Sequence, residues 1–98
     1  MISYRYPEEQ QVALIFAREL DDPLAQAIIE RGQVLSSAEA RHLSQFFWRM
    51  VDLSAQRVVR LPFEEGSEYW TEKLLTSLGG YMKKAGYGAE WEEESDKA

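Results

Sequence analysis

The stretch Ser36-Ser37-Ala38-Glu39-Ala40-Arg41-His42-Leu43-Ser44-Gln45-Phe46-Phe47-Trp48-Arg49-Met50-Val51 decides the fold of this chain. It opens with a capping box: Ser36 takes a backbone N–H of the first turn, and Glu39 reaches back to the Ser36 N–H. Leu43, Phe46, Phe47, Met50 and Val51 then recur at i, i+3, i+4, i+7 and i+8, the stripe of an amphipathic helix. Trp48 lies off the centre of that stripe, as a flanking core residue or as an exposed aromatic.

Upstream, Asp22-Pro23 starts a shorter helix near Pro23–Arg31, with Asp22 as N-cap and Pro23 at the first helical position. Leu24, Ala27 and Ile28 form its apolar face. Gly32 closes it in the left-handed conformation. Before it, an extended lead through Tyr4 and Tyr6 runs into Pro7-Glu8-Glu9, a proline followed by two acids that suit a helix dipole. Val12, Ile15, Phe16 and Leu20 share one helical face. A strand over Val12–Phe16 is the competing reading of the same short apolar run.

Downstream, Arg57-Val58-Val59-Arg60-Leu61-Pro62 places two β-branched residues between arginines, which allows a short strand or an extended connector over 57–61. Pro62 forbids smooth helical continuation. Glu64-Glu65-Gly66 turns the chain, and Ser67 is expected to cap a fourth helix with Trp70, Leu74, Leu75, Leu78, Tyr81 and Met82 on one side. Each glycine of Gly79-Gly80 costs about 1 kcal/mol in a helix interior. The pair is therefore expected to break or fray this helix, or else to let another backbone come close. The fold class that results is all-α, a compact bundle of about four helices. It forms a single helical domain over 1–89, followed by an acidic tail over 90–98 that reads as disordered.

With 98 residues, 45% of them apolar and 29% charged, the chain supports one domain and one core. It lacks cysteine, so disulfides, thiolate nucleophiles and cysteine-based metal sites are excluded. The longest apolar run, Val12 to Ala17, is too short to span a bilayer, and the first residues do not read as a signal peptide. A cytoplasmic protein, of phage or bacterial type, is the expectation. The net charge of −6 is uneven: residues 1–89 carry 12 acids against 10 bases, −2, whereas 90–98 carry five acids against Lys97, −4.

That inventory is poor in catalytic groups. His42 is the single histidine and sits beside the buried stripe, which suits a structural hydrogen bond better than a general base. One histidine with scattered carboxylates supplies no metal cluster. Glu68 and Glu72, one helical turn apart, are the best-placed carboxylate pair, yet acids near a helix start are expected from the dipole alone. No glycine-rich phosphate loop precedes a helix. The chain is accordingly expected not to be an enzyme and to use no cofactor and no metal.

Helix two, Gly32 and helix three outline a helix-turn-helix, whose reading residues would be Glu39, Arg41, His42 and Gln45. Its linker is longer than a tight turn, and Arg57 with Arg60 and Lys83 with Lys84 are the closest groupings of bases. Direct nucleic-acid binding, which needs clustered bases, is disfavoured.

A protein partner fits better. Tyr4, Tyr6, Trp48, Tyr69, Trp70, Tyr87 and Trp91 exceed what a core this small needs, and tyrosine, tryptophan and arginine are the usual interface anchors. The alternative for the terminal aromatics is that the ends fold back and close the core with them. The acidic tail adds steering toward a basic or nucleic-acid-handling partner. In size and charge the chain is similar, as a class, to phage and mobile-element inhibitors of host machinery, including anti-CRISPR proteins, and to immunity proteins and antitoxins. The expectation is thus an inhibitory protein-binding module, a monomer or small homo-oligomer. The alternatives are a helix-turn-helix regulator and an adaptor subunit of a larger assembly.

Overall fold

In the computed structural model, residues 2, 4 and 6–91 are described. Four helices follow in order: α1 (Pro7–Glu19), α2 (Pro23–Arg31), α3 (Ser37–Ala55) and α4 (Ser67–Lys84). A helical turn at 88–91 comes after them. The protein is an all-α bundle, and the described residues contain no strand. α1 packs against α2 and α4, while α3 packs against α4 and α2.

The short run Val12–Phe16 is helical because its apolar side chains serve a 3.6-residue period. Glu9, Val12, Ala13, Phe16 and Ala17 are the buried positions of α1. Pro7 occupies the first turn as expected, with Tyr6 as N-cap. Glu9 turns back, and its Oε1 accepts the Tyr6 N–H at 3.1 Å. The link to α2 is tight, and Asp21 takes a left-handed φ of 51° that aspartate tolerates better than most residues.

Asp22 caps α2 by accepting the Ala25 N–H at 3.0 Å, and Gly32 closes the helix at φ 73°. Ile2 then donates its N–H to the Gly32 carbonyl at 2.7 Å, tying the lead of the chain to the end of α2. In α3 the expected stripe is buried at Leu43, Phe46, Phe47 and Met50, with Val51 at its edge. Half of the capping box forms. Ser36 Oγ accepts the Glu39 N–H at 3.1 Å, but the Glu39 carboxylate takes the Leu35 N–H at 2.9 Å, not that of Ser36. The same Glu39 oxygen also accepts from the Arg31 guanidinium.

In the second half one open alternative is decided and two expectations are corrected. Residues 57–61 take the connector alternative, not the strand: Arg57 adopts φ 58° at the end of α3, Val58 is exposed and Val59 is buried. With one valine turned inward and no neighbouring strand, no sheet ladder exists to satisfy its backbone. Ser67 does not cap α4. Gly66 is the N-cap, and Ser67 faces inward, where its Oγ accepts the Ser54 hydroxyl at 3.2 Å. Finally, α4 runs unbroken through Gly79-Gly80 to Lys84.

α3 and α4 are antiparallel. Ser54 at the end of one meets Ser67 at the start of the other, and Tyr81 near the end of α4 accepts the Val34 N–H at 3.0 Å just before α3. Phe16, Phe46, Ile28, Ile29, Leu43, Met50, Leu74 and Met82 fill the single core between the helices.

Candidate functional site

The seven aromatics singled out from the sequence separate into two clusters and two lone residues. At the start of α4, Trp70 is buried and Tyr69 stands edge-on to it, ring centroids 5.2 Å apart. Tyr6, arriving from the N-terminal lead, meets Trp70 edge-to-face at 6.2 Å, and Phe63 from the connector lies at 5.3 Å. Tyr6 and Tyr69 remain 41% and 40% exposed. Lys73 lies 5.3 Å from the Tyr69 ring centroid, within cation–π range. The patch therefore has a fixed apolar floor, two half-exposed phenols and one cation at its edge. Edge-to-face rings hold each other in place, so Tyr6 and Tyr69 are pre-oriented for contact.

The second cluster lies toward the other end of α4. Trp91, in the helical turn at 88–91, packs on Phe47 at 6.1 Å and stacks at a tilt on Trp48 at 5.7 Å. A Cβ at Gly79 would stand 3.3 Å from the Trp91 Nε1, so α4 carries glycine where the indole comes down on it. Gly80 meets nothing within 4 Å. The nearest neighbour of the glycine pair is a side chain, not another backbone, and it sits over Gly79 alone. Trp48 is half-buried, and its Nε1 is enclosed without a hydrogen-bond partner among the described residues.

Tyr4 and Tyr87 also pack against the core. Burial, with the Glu9 charge and then Tyr81 adding to it, pushes the Tyr4 phenol up to about 12. Tyr4, Trp48, Trp70, Tyr87 and Trp91 thus complete the core or cover it, which leaves Tyr6 and Tyr69 as the expected anchors that reach solvent. Packing continues through Trp91, and the remainder of the acidic tail, 92–98, lies outside the described residues.

Sequence reasoning missed the strongest polar feature. Asp22, 6% exposed, caps α2 with its Oδ1, which also accepts from His42 Nε2 at 2.8 Å, while Oδ2 takes the Arg49 guanidinium. Burial by itself would raise the Asp22 pKa. The Ala25 N–H, His42 and Arg49 outweigh it and hold the carboxyl below its usual value. His42 and Arg49 lie seven residues apart on α3, two turns along one face, and this spacing is the signal that could have paired them. Asp22 thereby clamps the start of α2 to the side of α3.

The same clamp occupies part of the surface a helix-turn-helix would use. Of the expected reading residues, His42 is held by Asp22 and Glu39 by Leu35 and Arg31, while Arg41 and Gln45 are exposed. Among the described residues no group of three or more histidines and acids could hold a metal ion. No helix among them is long and apolar enough to cross a membrane. Comparison of the chain with protein-family models, with curated proteins and with solved structures finds no match.

Proposed function

We propose that this chain is a protein-binding module that docks on a macromolecular complex and inhibits it, with no turnover of its own. The observation that carries the reading is the Tyr6–Trp70–Tyr69 patch, in which two half-exposed tyrosines from distant parts of the chain flank one buried tryptophan. Interface energy concentrates in a few tyrosine, tryptophan and arginine side chains set on rigid support, and a tyrosine held by its neighbours loses little entropy on binding. The acidic charge of the chain favours a basic partner, through approach rate more than through final affinity.

The test is affinity capture from the native host with the wild-type chain and with a Tyr6→Ala, Tyr69→Ala double variant. The wild type should recover a protein complex and lower its activity. The double variant, folded equally well, should lose at least about 2 kcal/mol of that binding. Recovery of no protein, with duplex DNA shifted by the purified chain at moderate salt, would overturn the reading. A captured complex whose activity rises with the chain bound would make it an adaptor.

A further inference from the structure

We infer that the seam between α3 and α4 is a second docking site, built for an arginine-bearing amphipathic segment of a partner protein. Val51, Ser54 and Ala55 from α3 and Glu68, Thr71, Glu72 and Leu75 from α4 line an open groove of about 260 Å³ there. That volume is below the roughly 300–1,000 Å³ of small-molecule pockets, and it suits one or two side chains of a larger partner. None of Tyr6, Tyr69 and Trp70 lines the groove, so the inference does not depend on that patch being an interface.

The chemistry of the groove selects its occupant. Val51, Ala55 and Leu75 give an aliphatic wall, while Glu68 and Glu72 stand one turn apart on the rim, their Cβ atoms about 5–6 Å from each other. An arginine satisfies both halves at once, its methylenes along the wall and its planar guanidinium between the two carboxylates. The fold already offers a weak version of this contact. Arg57 Nε reaches Glu68 at 3.4 Å, with both side chains largely in solvent at 80% and 62% exposure. Glu72 has no ion-pair partner among the described residues. Thr71, 4% exposed, is one of the lining residues, and its Oγ1 is buried beneath the groove surface without a hydrogen-bond partner among the described residues.

The sign of the charge also narrows the source. Residues 92–98 carry Glu92, Glu93, Glu94 and Asp96 against Lys97, and the whole chain is −6, so the tail is repelled by an acidic rim and a second copy approaches it with net charge of the same sign. A basic segment of another protein complements it.

The 98-residue chain is titrated at physiological salt with a labelled helical peptide that presents arginine beside leucine on one face, and with the same peptide carrying glutamate for arginine. Anisotropy reads affinity, and backbone amide shifts read the site. The arginine peptide should bind and move Val51, Ala55, Thr71 and Leu75, and the glutamate peptide should not. Glu68→Gln with Glu72→Gln should weaken binding roughly tenfold, the loss of two charge-assisted contacts. Tyr6→Ala with Tyr69→Ala should leave it unchanged. Shifts confined to other residues would overturn the inference. So would affinity insensitive to Glu68 and Glu72 but abolished by neutralising Glu92, Glu93 and Glu94, which would mean attraction to the tail alone. Self-association strengthened by Glu68→Gln with Glu72→Gln would assign the groove to a second copy and overturn it as well.

Discussion

The two aromatic clusters along α4 have similar ingredients and opposite fates. Trp70 with Tyr69, Tyr6 and Phe63 forms a buried centre with exposed edges, whereas Trp91 with Trp48 and Phe47 forms a cover over the Gly79 end of the α3–α4 seam. Gly79 accounts for much of the difference. With no Cβ there, an indole can rest against α4, and a residue near the C-terminus becomes part of the packing. At the other end Trp70 is itself the side chain that fills the space. The rings arriving from Tyr6 and Tyr69 stand perpendicular to it and stay 41% and 40% exposed. An aromatic near a chain end is therefore no guide to exposure until the surface it lands on is known.

Unfolding in urea tests that distinction, and the largest effect belongs to Trp70. Trp70→Ala should cost about 3–5 kcal/mol, as for other buried aromatics cut to alanine. Trp91→Ala should cost about 2 kcal/mol, because its ring is only half-buried. Equal losses would erase the contrast between centre and cover.

A smaller effect comes from Asp22, which touches neither cluster. Its lowered pKa means that its contribution is complete above the unfolded carboxyl value of about 3.9 and disappears as the pH falls through the lower folded value. Asp22→Asn should cost about 1–2 kcal/mol at neutral pH, kept modest because Arg49 is 47% exposed, and should flatten the loss of stability below pH 4. The Trp91→Ala variant should keep the wild-type acid profile. A changed profile there would show that the clamp and the cover are coupled.

The smallest effect gives the sharpest comparison. Gly80→Ala adds a methyl in open space on a helix and should stabilise by about 0.5–1 kcal/mol. Gly79→Ala must push against the Trp91 indole and should gain less or lose. In a Trp91→Ala background the two alanines should become equivalent, a double-mutant cycle that isolates the glycine–indole contact. If Gly79→Ala behaves like Gly80→Ala in the wild type, the contact carries no energy.

Much of this was legible before any tertiary structure. The α3 stripe from Leu43 to Val51, the Asp22-Pro23 start, the Gly32 stop and the Pro7 entry are local signals, set by backbone geometry and hydrophobic period within a few residues. Glu39 and Ser67 show where such signals fail. Both occupy capping positions by sequence, yet Glu39 takes the Leu35 N–H and Arg31, and Ser67 turns in to Ser54. Each polar side chain had more than one partner within reach: Glu39 took a different nearby N–H together with Arg31, and Ser67 took the partner delivered by packing. Of the interface residues expected from composition, Tyr6 and Tyr69 reach solvent, while the groove at Glu68 and Glu72 drew notice only as a pair of acids.

By itself, then, the sequence determined a four-helix chain with one core, no cysteine chemistry and a charge concentrated after Ala89. These follow from periodicity, capping residues and counting, which need no knowledge of distant neighbours. Only the tertiary structure decided that α4 passes through Gly79-Gly80, that Trp91 covers the seam at its Gly79 end, and that Asp22 gathers His42 and Arg49. Each of these depends on residues far apart in the chain meeting at van der Waals or hydrogen-bond range. A local preference of about 1 kcal/mol, such as that against glycine in a helix, gives way wherever such a meeting is worth more.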